Sequence, residues 1–236
     1  SAVICGAPWA QATLAELDPQ ATLHWRVAEG ARCEADQVVL EIQGRAQALL
    51  TAERTILNFL QLLSAVATKT ASYVAIVAGT RAAIVDTRKT LPGLRLAQKY
   101  AVRCGGGTNH RVGLYDAVLI KENHIAAAGG IRQVLQQADK VAAQADFVEI
   151  EVETLEQLKE ALDAGARMVL LDNMALPTLQ EAVRINGGRA ILEISGGVTL
   201  DGLRALAETG VDRISIGTLT KDVQATDYSM RFDPFA

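Results

Sequence analysis

From residue 82 to residue 217 the chain alternates short β-branched apolar runs with longer segments of helical spacing, and this rhythm restricts the fold more than any other feature. The runs are residues 82–86, 117–121, 147–152, 168–172, 190–195 and 213–217, and between them lie 94–104, 131–144, 154–164, 176–185 and 200–208. Strand and helix at this pace predict right-handed βαβ units and a parallel sheet covered by helices. Several runs end in a polar residue or glycine: Asp86, Lys121, Asp172, Ser195 and Gly217. In a closed β/α barrel those ends form one mouth, where active sites are built; in an open sheet they gather at one edge. No run is followed by a G-x-G-x-x-G fingerprint, which removes the main support for nucleotide-cofactor redox chemistry.

Upstream the rhythm differs. Residues 22–27 and 38–42 read as short alternating segments around the turn Glu29-Gly30-Ala31, a small β-rich unit. From Thr51 an apolar series (Ile56, Leu57, Leu60, Leu63, Val66) runs at helical spacing towards Gly79, as one long helix or two short ones. The expected fold is α/β: a TIM-like β/α barrel, open or with fewer than eight strands, over residues 53–222. A smaller α+β domain over residues 1–52, truncated at its start, accompanies it, with the tail 223–236 packing on it.

The chain has 236 residues, 50% hydrophobic and 21% charged, which excludes disorder, collagen and coiled coil. Apolar stretches are broken by charge, Gly or Ser short of the roughly 20 residues of a membrane span, and no basic-then-apolar leader opens the chain. A soluble, cytoplasmic protein without membrane partners is expected. Cys5, Cys33 and Cys104 are odd in number and far apart, which suggests neither a disulfide framework nor a zinc site and leaves inert thiols.

The net charge of −4 argues against nucleic acid as the partner, since duplex binding leans on Lys and Arg. Yet eight cations (Arg81, Arg88, Lys89, Arg95, Lys99, Arg103, Arg111, Lys121) face two anions (Asp86, Asp116) between residues 81 and 121. A basic segment in an acidic chain points to a small anionic ligand, or to a solvated basic face.

Four clusters carry chemistry. In Phe147-Val148-Glu149-Ile150-Glu151-Val152-Glu153, period-2 alternation sets the valines and isoleucine against the three acids. With the apolar face on helices, Glu149, Glu151 and Glu153 point inward, where cations, a metal or hydroxyl-rich ligands must compensate them. An exposed edge strand with a wet acidic face is the competing reading. Asp86-Thr87-Arg88-Lys89-Thr90-Leu91-Pro92-Gly93 crowds polar side chains into a strand-end loop, with Arg suited to a bidentate grip on carboxylate or phosphate. Cys104-Gly105-Gly106-Gly107-Thr108-Asn109-His110-Arg111 permits close ligand approach and then delivers Asn, His and Arg, or is simply a flexible turn. His110 and His124 stay weak on intrinsic grounds, because a lone His is more often a structural hydrogen-bonding residue. Glu193-Ile194-Ser195-Gly196-Gly197 and Ile214-Ser215-Ile216-Gly217-Thr218 are strand-to-helix turns able to aim backbone N–H groups at a phosphate, on the last two strands where barrels place that site.

Taken in order, these motifs resemble the quinolinate phosphoribosyltransferases. The resemblance rests on Glu53-Arg54-Thr55 with Asn58 and Gln61, DTRKTLPGLR at 86–95, KYAVRCGGGTNHR at 99–111, DAVLIKENH at 116–124, Glu151-Val152-Glu153, Leu171-Asp172-Asn173, Ser195-Gly196-Gly197, and Gly210-Val211-Asp212 leading to Gly217. It covers nearly the whole chain, which opens at what looks like the middle of the family's first domain; Ala65 stands where the family often has Gly.

The resemblance implies transfer of phosphoribose from phosphoribosyl pyrophosphate to quinolinate with decarboxylation, giving nicotinate mononucleotide, pyrophosphate and carbon dioxide in NAD biosynthesis, with Mg²⁺. It implies a homodimer in which Arg54 reaches in from the neighbour, and in which Arg54, Arg88, His110, Arg111 and Lys121 surround quinolinate. Thr87 and Lys89 would meet the phosphoribosyl substrate. Glu151 and Asp172 are implied beside the ribose hydroxyls and the metal, with Lys121, Glu151 and Asp172 as the catalytic set. Ser195, Gly196, Gly197, Ile216, Gly217 and Thr218 are implied at the 5-phosphate. A nicotinate-using transferase or another sugar-phosphate barrel would need fewer cations at the ring. A non-enzymatic homologue would be expected to lack some of Arg88, Lys89, Lys121, Glu151 or Asp172, and all five are present.

Overall fold

The computed structural model describes residues 1–233; residues 234–236 of the expected tail lie outside the described residues. In chain order the elements are β1 (Ala2–Val3), α1 (Ala7–Leu17), β2 (Thr22–Trp25), β3 (Arg32–Cys33), β4 (Leu40–Gln43), α2 (Ala46–Val77), β5 (Ala83–Val85), α3 (Arg95–Cys104), β6 (Val118–Ile120), α4 (Glu122–Ala128), α5 (Ile131–Ala142), β7 (Val148–Val152), α6 (Leu155–Asp163), β8 (Met168–Asp172), α7 (Leu176–Asn186), β9 (Ile191–Ser195), α8 (Leu200–Glu208), β10 (Arg213–Ser215) and α9 (Thr218–Lys221). They form two compact units. The first comprises Ser1–Ser72, Leu91–Gly107 and the chain from Thr218 onward; the second comprises Tyr73–Thr90 and Thr108–Gly217.

The first unit is organised by α2, whose 32 residues hold neither Gly nor Pro and which stops just before Gly79, at φ 80°. One stretch of its apolar stripe (Leu49, Ala52, Ile56, Leu60) packs against Ala10 and Leu14 of α1. The next stretch (Leu63, Val66, Ala67) packs against Val3 and Cys5 and against Ala97, Ala101 and Val102 of α3. The expected boundary after residue 52 therefore falls inside a continuous helix, and α3, expected in the barrel, packs in the first unit. The stripe passes residue 52 without interruption, so local sequence offers no break there. Two antiparallel pairs, β1 with β3 and β2 with β4, complete the unit. The tail lies on it too: the Thr226 N–H donates to Gln61 O at 3.0 Å and the Tyr228 hydroxyl to Ser64 Oγ at 2.9 Å. Glu53, Arg54, Ser64 and Lys69 interrupt the apolar run of α2, which by length and mean hydropathy alone could cross a membrane; half of that stretch is buried within the protein, as in a core helix.

The second unit holds a six-stranded parallel sheet in the order β5-β10-β9-β8-β7-β6, an α/β arrangement with fewer than the eight strands of a full barrel. Apart from β5 and β6 at the ends, each strand is covered by neighbours on both sides, and Val169, Leu171, Ile150, Val152, Leu192 and Ile194 are all buried. Leu158, Leu179 and Leu203 sit fully buried on α6, α7 and α8, one anchor per helix. Each is worth about 2–3 kcal/mol by burial alone. Residues 108–111 run between the two end strands. Thr108 exchanges backbone hydrogen bonds with β5 and its extension, to Ile84 O at 2.8 Å and from the Asp86 N–H at 3.1 Å, while Arg111 Nη1 reaches Ala117 O, beside β6, at 3.3 Å.

Candidate active site

The C-terminal ends of the six strands carry the polar residues the sequence placed there. Beyond β5, Thr87 Oγ1 accepts the Lys89 N–H at 3.1 Å. Beyond β10, the Ile216 N–H donates to Val85 O at 2.9 Å, which sets Gly217 against the same loop: a Cβ on Gly217 would stand 3.1 Å from Lys89 Cδ and 3.6 Å from Thr87 Oγ1. Asp172 and Ser195, the last residues of β8 and β9, are register partners. Their loops interlock, with the Asn173 N–H donating to Ser195 O at 3.0 Å and Asn173 Nδ2 to Asp172 Oδ2 at 2.8 Å. Glu151 on β7 accepts from Lys121 Nζ at 2.9 Å, the lysine half exposed and the glutamate mostly buried. Lys121 also begins α4, where its N–H donates to His124 Nδ1 at 3.0 Å, so His124 serves as a helix cap.

Asn173 and Gly196 abut at this mouth, both in the left-handed region at φ 53° and 103°. A Cβ on Gly196 would run into Asn173 Oδ1 and lie 2.7 Å from its Cγ, whereas one on Gly197 meets nothing within 4 Å. Gly196→Ala is therefore expected to cost about 2–3 kcal/mol, adding a clash to the backbone strain, and Gly197→Ala about 1 kcal/mol. Urea unfolding of the two variants checks this; equal midpoints would show that the Asn173 contact is not a constraint.

Below the mouth lies a buried ionic layer. His110 and Arg111 are 7% and 8% exposed, and Glu149 and Glu193 are fully buried. The chain reaches this position because Asp86, also fully buried, accepts the His110 N–H at 2.8 Å and Asn109 Nδ2 at 2.7 Å. His110 Nδ1 accepts the Arg111 N–H at 2.8 Å, so the ring proton sits on Nε2 and is donated to Glu149 Oε2, also at 2.8 Å. Glu193 Oε1 stands 3.6 Å from the same nitrogen, and Glu193 Oε2 accepts Arg213 Nε at 2.7 Å. His110, Glu149 and Glu193 lie close enough to hold a cation. The tautomer fixed by Arg111 nevertheless leaves no lone pair on Nε2 for a metal. Burial raises both glutamates to about 7, with Glu151 adding to it at Glu149, Glu149 adding to it at Glu193, and Arg213 opposing it at both. Burial, followed by the neighbouring Arg88, lowers the Arg111 guanidinium below its usual value. A buried guanidinium whose charge is opposed both by burial and by a second cation is what an anion site needs.

Of the three inward acids expected on β7, Glu149 and Glu151 take that direction and Glu153 does not: it lies past the strand, exposed, its N–H bonded to Gln157 Oε1 at 2.7 Å. β7 pairs with β6 and β8, which removes the edge-strand reading. Both ring nitrogens of His110 are bonded to the protein itself, Nε2 to Glu149 and Nδ1 to the Arg111 N–H, which fixes the ring beside Arg111. Arg54 and Thr218 fall in the first unit: Arg54 is exposed on α2, and Thr218 opens α9, its carbonyl accepting Lys69 Nζ at 2.8 Å and its hydroxyl buried without a partner among the described residues. Sequence reasoning did not connect Glu193 with Arg213 or single out Asn173. The signal for Glu193 was the same alternation, Leu192 and Ile194 against Glu193 and Ser195, as on β7.

Known proteins share the sequence and fold of this chain. Family models described as quinolinate phosphoribosyl transferase, N-terminal domain and C-terminal domain, match residues 1–64 and 66–231. The nicotinate-nucleotide pyrophosphorylase [carboxylating] of Mycobacterium leprae is 47% identical over 209 residues, 87% of this chain and 73% of that protein. The probable counterpart of Bacillus subtilis is 43% identical over 218 residues, 92% of this chain and 75% of that one. The solved nicotinate-nucleotide pyrophosphorylase of Francisella tularensis superposes with a TM-score of 0.92 at 44% identity, covering 95% of this chain and 80% of that one. The chain belongs to the quinolinate phosphoribosyltransferase family.

Proposed function

We propose that this protein transfers phosphoribose from phosphoribosyl pyrophosphate to quinolinate and releases the 2-carboxylate, giving nicotinate mononucleotide, pyrophosphate and carbon dioxide in NAD biosynthesis. The observation that carries this reading is a buried arginine, Arg111, beside the buried acids Glu149 and Glu193, with the charge of Arg88 felt at it, a site for a small anion with more than one carboxylate. Arg88, Arg111 and Lys121 hold the quinolinate carboxylates, and His110 positions Arg111 through its backbone N–H. Thr87, Lys89, Ser195, Gly196, Gly197, Ile216, Gly217 and Thr218 take the phosphoribosyl group, the glycines by letting backbone donors approach it.

Glu151 and Asp172 lie beside the ribose and ease the positive charge that develops at C1 as pyrophosphate leaves; positioning and electrostatics, with no covalent nucleophile, carry the rate. The ring nitrogen forms the new bond to C1 and becomes cationic. That charge then accepts the electron pair left at C2 when the carbon–carboxylate bond breaks, and a proton from water replaces carbon dioxide. Lys121, held by Glu151, secures the leaving carboxylate. The two carboxylates at adjacent strand ends fit Mg²⁺, a hard ion that takes one or two protein carboxylates and fills its remaining positions with phosphate and water. When bound, Mg²⁺ neutralises charge on the pyrophosphate group. The working unit is a homodimer with Arg54 contributed by the second copy, in the cytoplasm, with no nucleic acid or membrane partner.

Carbon dioxide and pyrophosphate release from the purified protein, given phosphoribosyl pyrophosphate, Mg²⁺ and either quinolinate or nicotinate, tests this. Stoichiometric release of both products with quinolinate alone is expected; turnover with nicotinate, or pyrophosphate without carbon dioxide, would assign the site to a different transferase.

A further inference from the structure

Cys5 and Cys104, which sequence spacing left as unrelated thiols, meet in the first unit. Their sulfurs and the Glu29 carboxylate lie within 4.8 Å of one another. Cys5 follows β1 and is fully buried, its backbone pinned to Ser64 through an N–H donated to Oγ at 3.0 Å and a carbonyl accepting from Oγ at 3.2 Å. Cys104 ends α3 and is half-buried, within reach of solvent. Both Glu29 oxygens are occupied at the start of α1, accepting the Gly6 N–H at 2.8 Å and the Ala7 N–H at 3.1 Å. That leaves two sulfurs, short of the four ligands of a structural zinc site, and favours thiol redox chemistry. The two thiols are also unequal. Hydrogen bonds from Cys5 and from the Tyr100 hydroxyl, with Arg103 nearby, lower the Cys104 thiol, while the same bond and burial raise Cys5. An accessible thiol of thiolate character beside a buried second one is the arrangement of an attacking and a resolving cysteine.

We propose that Cys5 and Cys104 form a modification site that hydrogen peroxide converts into an intramolecular disulfide. The Cys104 thiolate attacks one peroxide oxygen; the O–O bond breaks, leaving Cys104 sulfenic acid and hydroxide, which becomes water. Cys5 then attacks the Cys104 sulfur, the S–O bond breaks, and hydroxide departs with the Cys5 proton as a second water. Two thiols are oxidised and one peroxide reduced. Cys33, buried on β3 in a different apolar cluster, takes no part.

The test treats the reduced full-length protein with hydrogen peroxide and reads intact mass and peptide maps. The expected result is a loss of about 2 Da, reversed by dithiothreitol, with the bridge mapped to Cys5 and Cys104. Cys5→Ser should stall at the sulfenic acid and take up dimedone at Cys104 at least about fivefold more than the wild type, and Cys104→Ser should show no 2 Da loss. A wild-type protein that gains oxygen without forming the bridge, or that bridges through Cys33, would overturn the proposal. The wild-type measurement needs no variant to fold.

Discussion

Arg111→Ala is expected to lower kcat/KM for quinolinate about a thousandfold, equivalent to roughly 4 kcal/mol of lost transition-state interaction. The size follows from where the charge is. Arg111 is 8% exposed, and its guanidinium is held in place by the Ala117 carbonyl, so it meets a carboxylate with little competition from water and little freedom to lose. Arg111→Lys keeps the charge but loses the planar fork and the reach to Ala117, and should recover only part of the loss. The fold gains little from this residue: burial and Arg88 both work against its charge. Urea unfolding of Arg111→Ala should therefore shift far less than activity does, by about 1–2 kcal/mol for the vacated volume. Carbon dioxide release across a quinolinate titration separates the two effects. An alanine variant that keeps kcat/KM within threefold would remove Arg111 from the carboxylate grip.

Local chemistry explains which parts of this molecule were legible in the sequence. Met168-Val169-Leu170-Leu171-Asp172 reads as a strand because four successive apolar residues are buried on both faces of a parallel sheet, and its final Asp marks the mouth. Helix α1 is not legible in the sequence: the N–H groups at its start are capped by Glu29, which lies beyond α1 itself and β2, and its first turn contains Pro8. Helix α4 was missed because it buries none of its residues and so shows no apolar stripe. Helices α2 and α3 were recognised as helices but assigned to the wrong packing unit, since periodicity reports that a face is buried and not against what. The same limit applies to the site. Alternation on β7 predicted inward acids, yet the partner of Glu149, His110, comes from a loop, and Arg213 on β10 pairs with Glu193 on β9, so only the strand order brings these groups together. Cys5 and Cys104 meet for the same reason: each lies at the end of its own element, and α2 packs against both.

The buried glutamate pair makes the second large prediction, a stability that falls as pH rises from 5 to 8. Glu149 and Glu193 are raised from the model-peptide value of 4.5 to about 7. A carboxyl that is harder to ionise folded than unfolded stabilises the fold while both states keep the proton, below about pH 4.5, and that advantage disappears as pH climbs through about 7. A rise of this size corresponds to roughly 3 kcal/mol for one such group. The pair sets the expectation at about one group's worth, because the charge of Glu149 is itself part of what raises Glu193, so the two acids titrate as a unit and their shifts do not add. Glu149→Gln isolates the effect. The amide oxygen still accepts the His110 Nε2 proton, the Glu193–Arg213 pair is untouched, and the amide cannot ionise. Urea midpoints should drop between pH 5 and 8 in the wild type and change far less in the variant, which should be the more stable of the two at pH 8. A wild-type midpoint that rises over that range, or a variant that tracks it, would mean the layer is fully ionised and that His110 carries a charge. Its Nδ1 would then have to release the Arg111 N–H, and the arginine it positions would move with it.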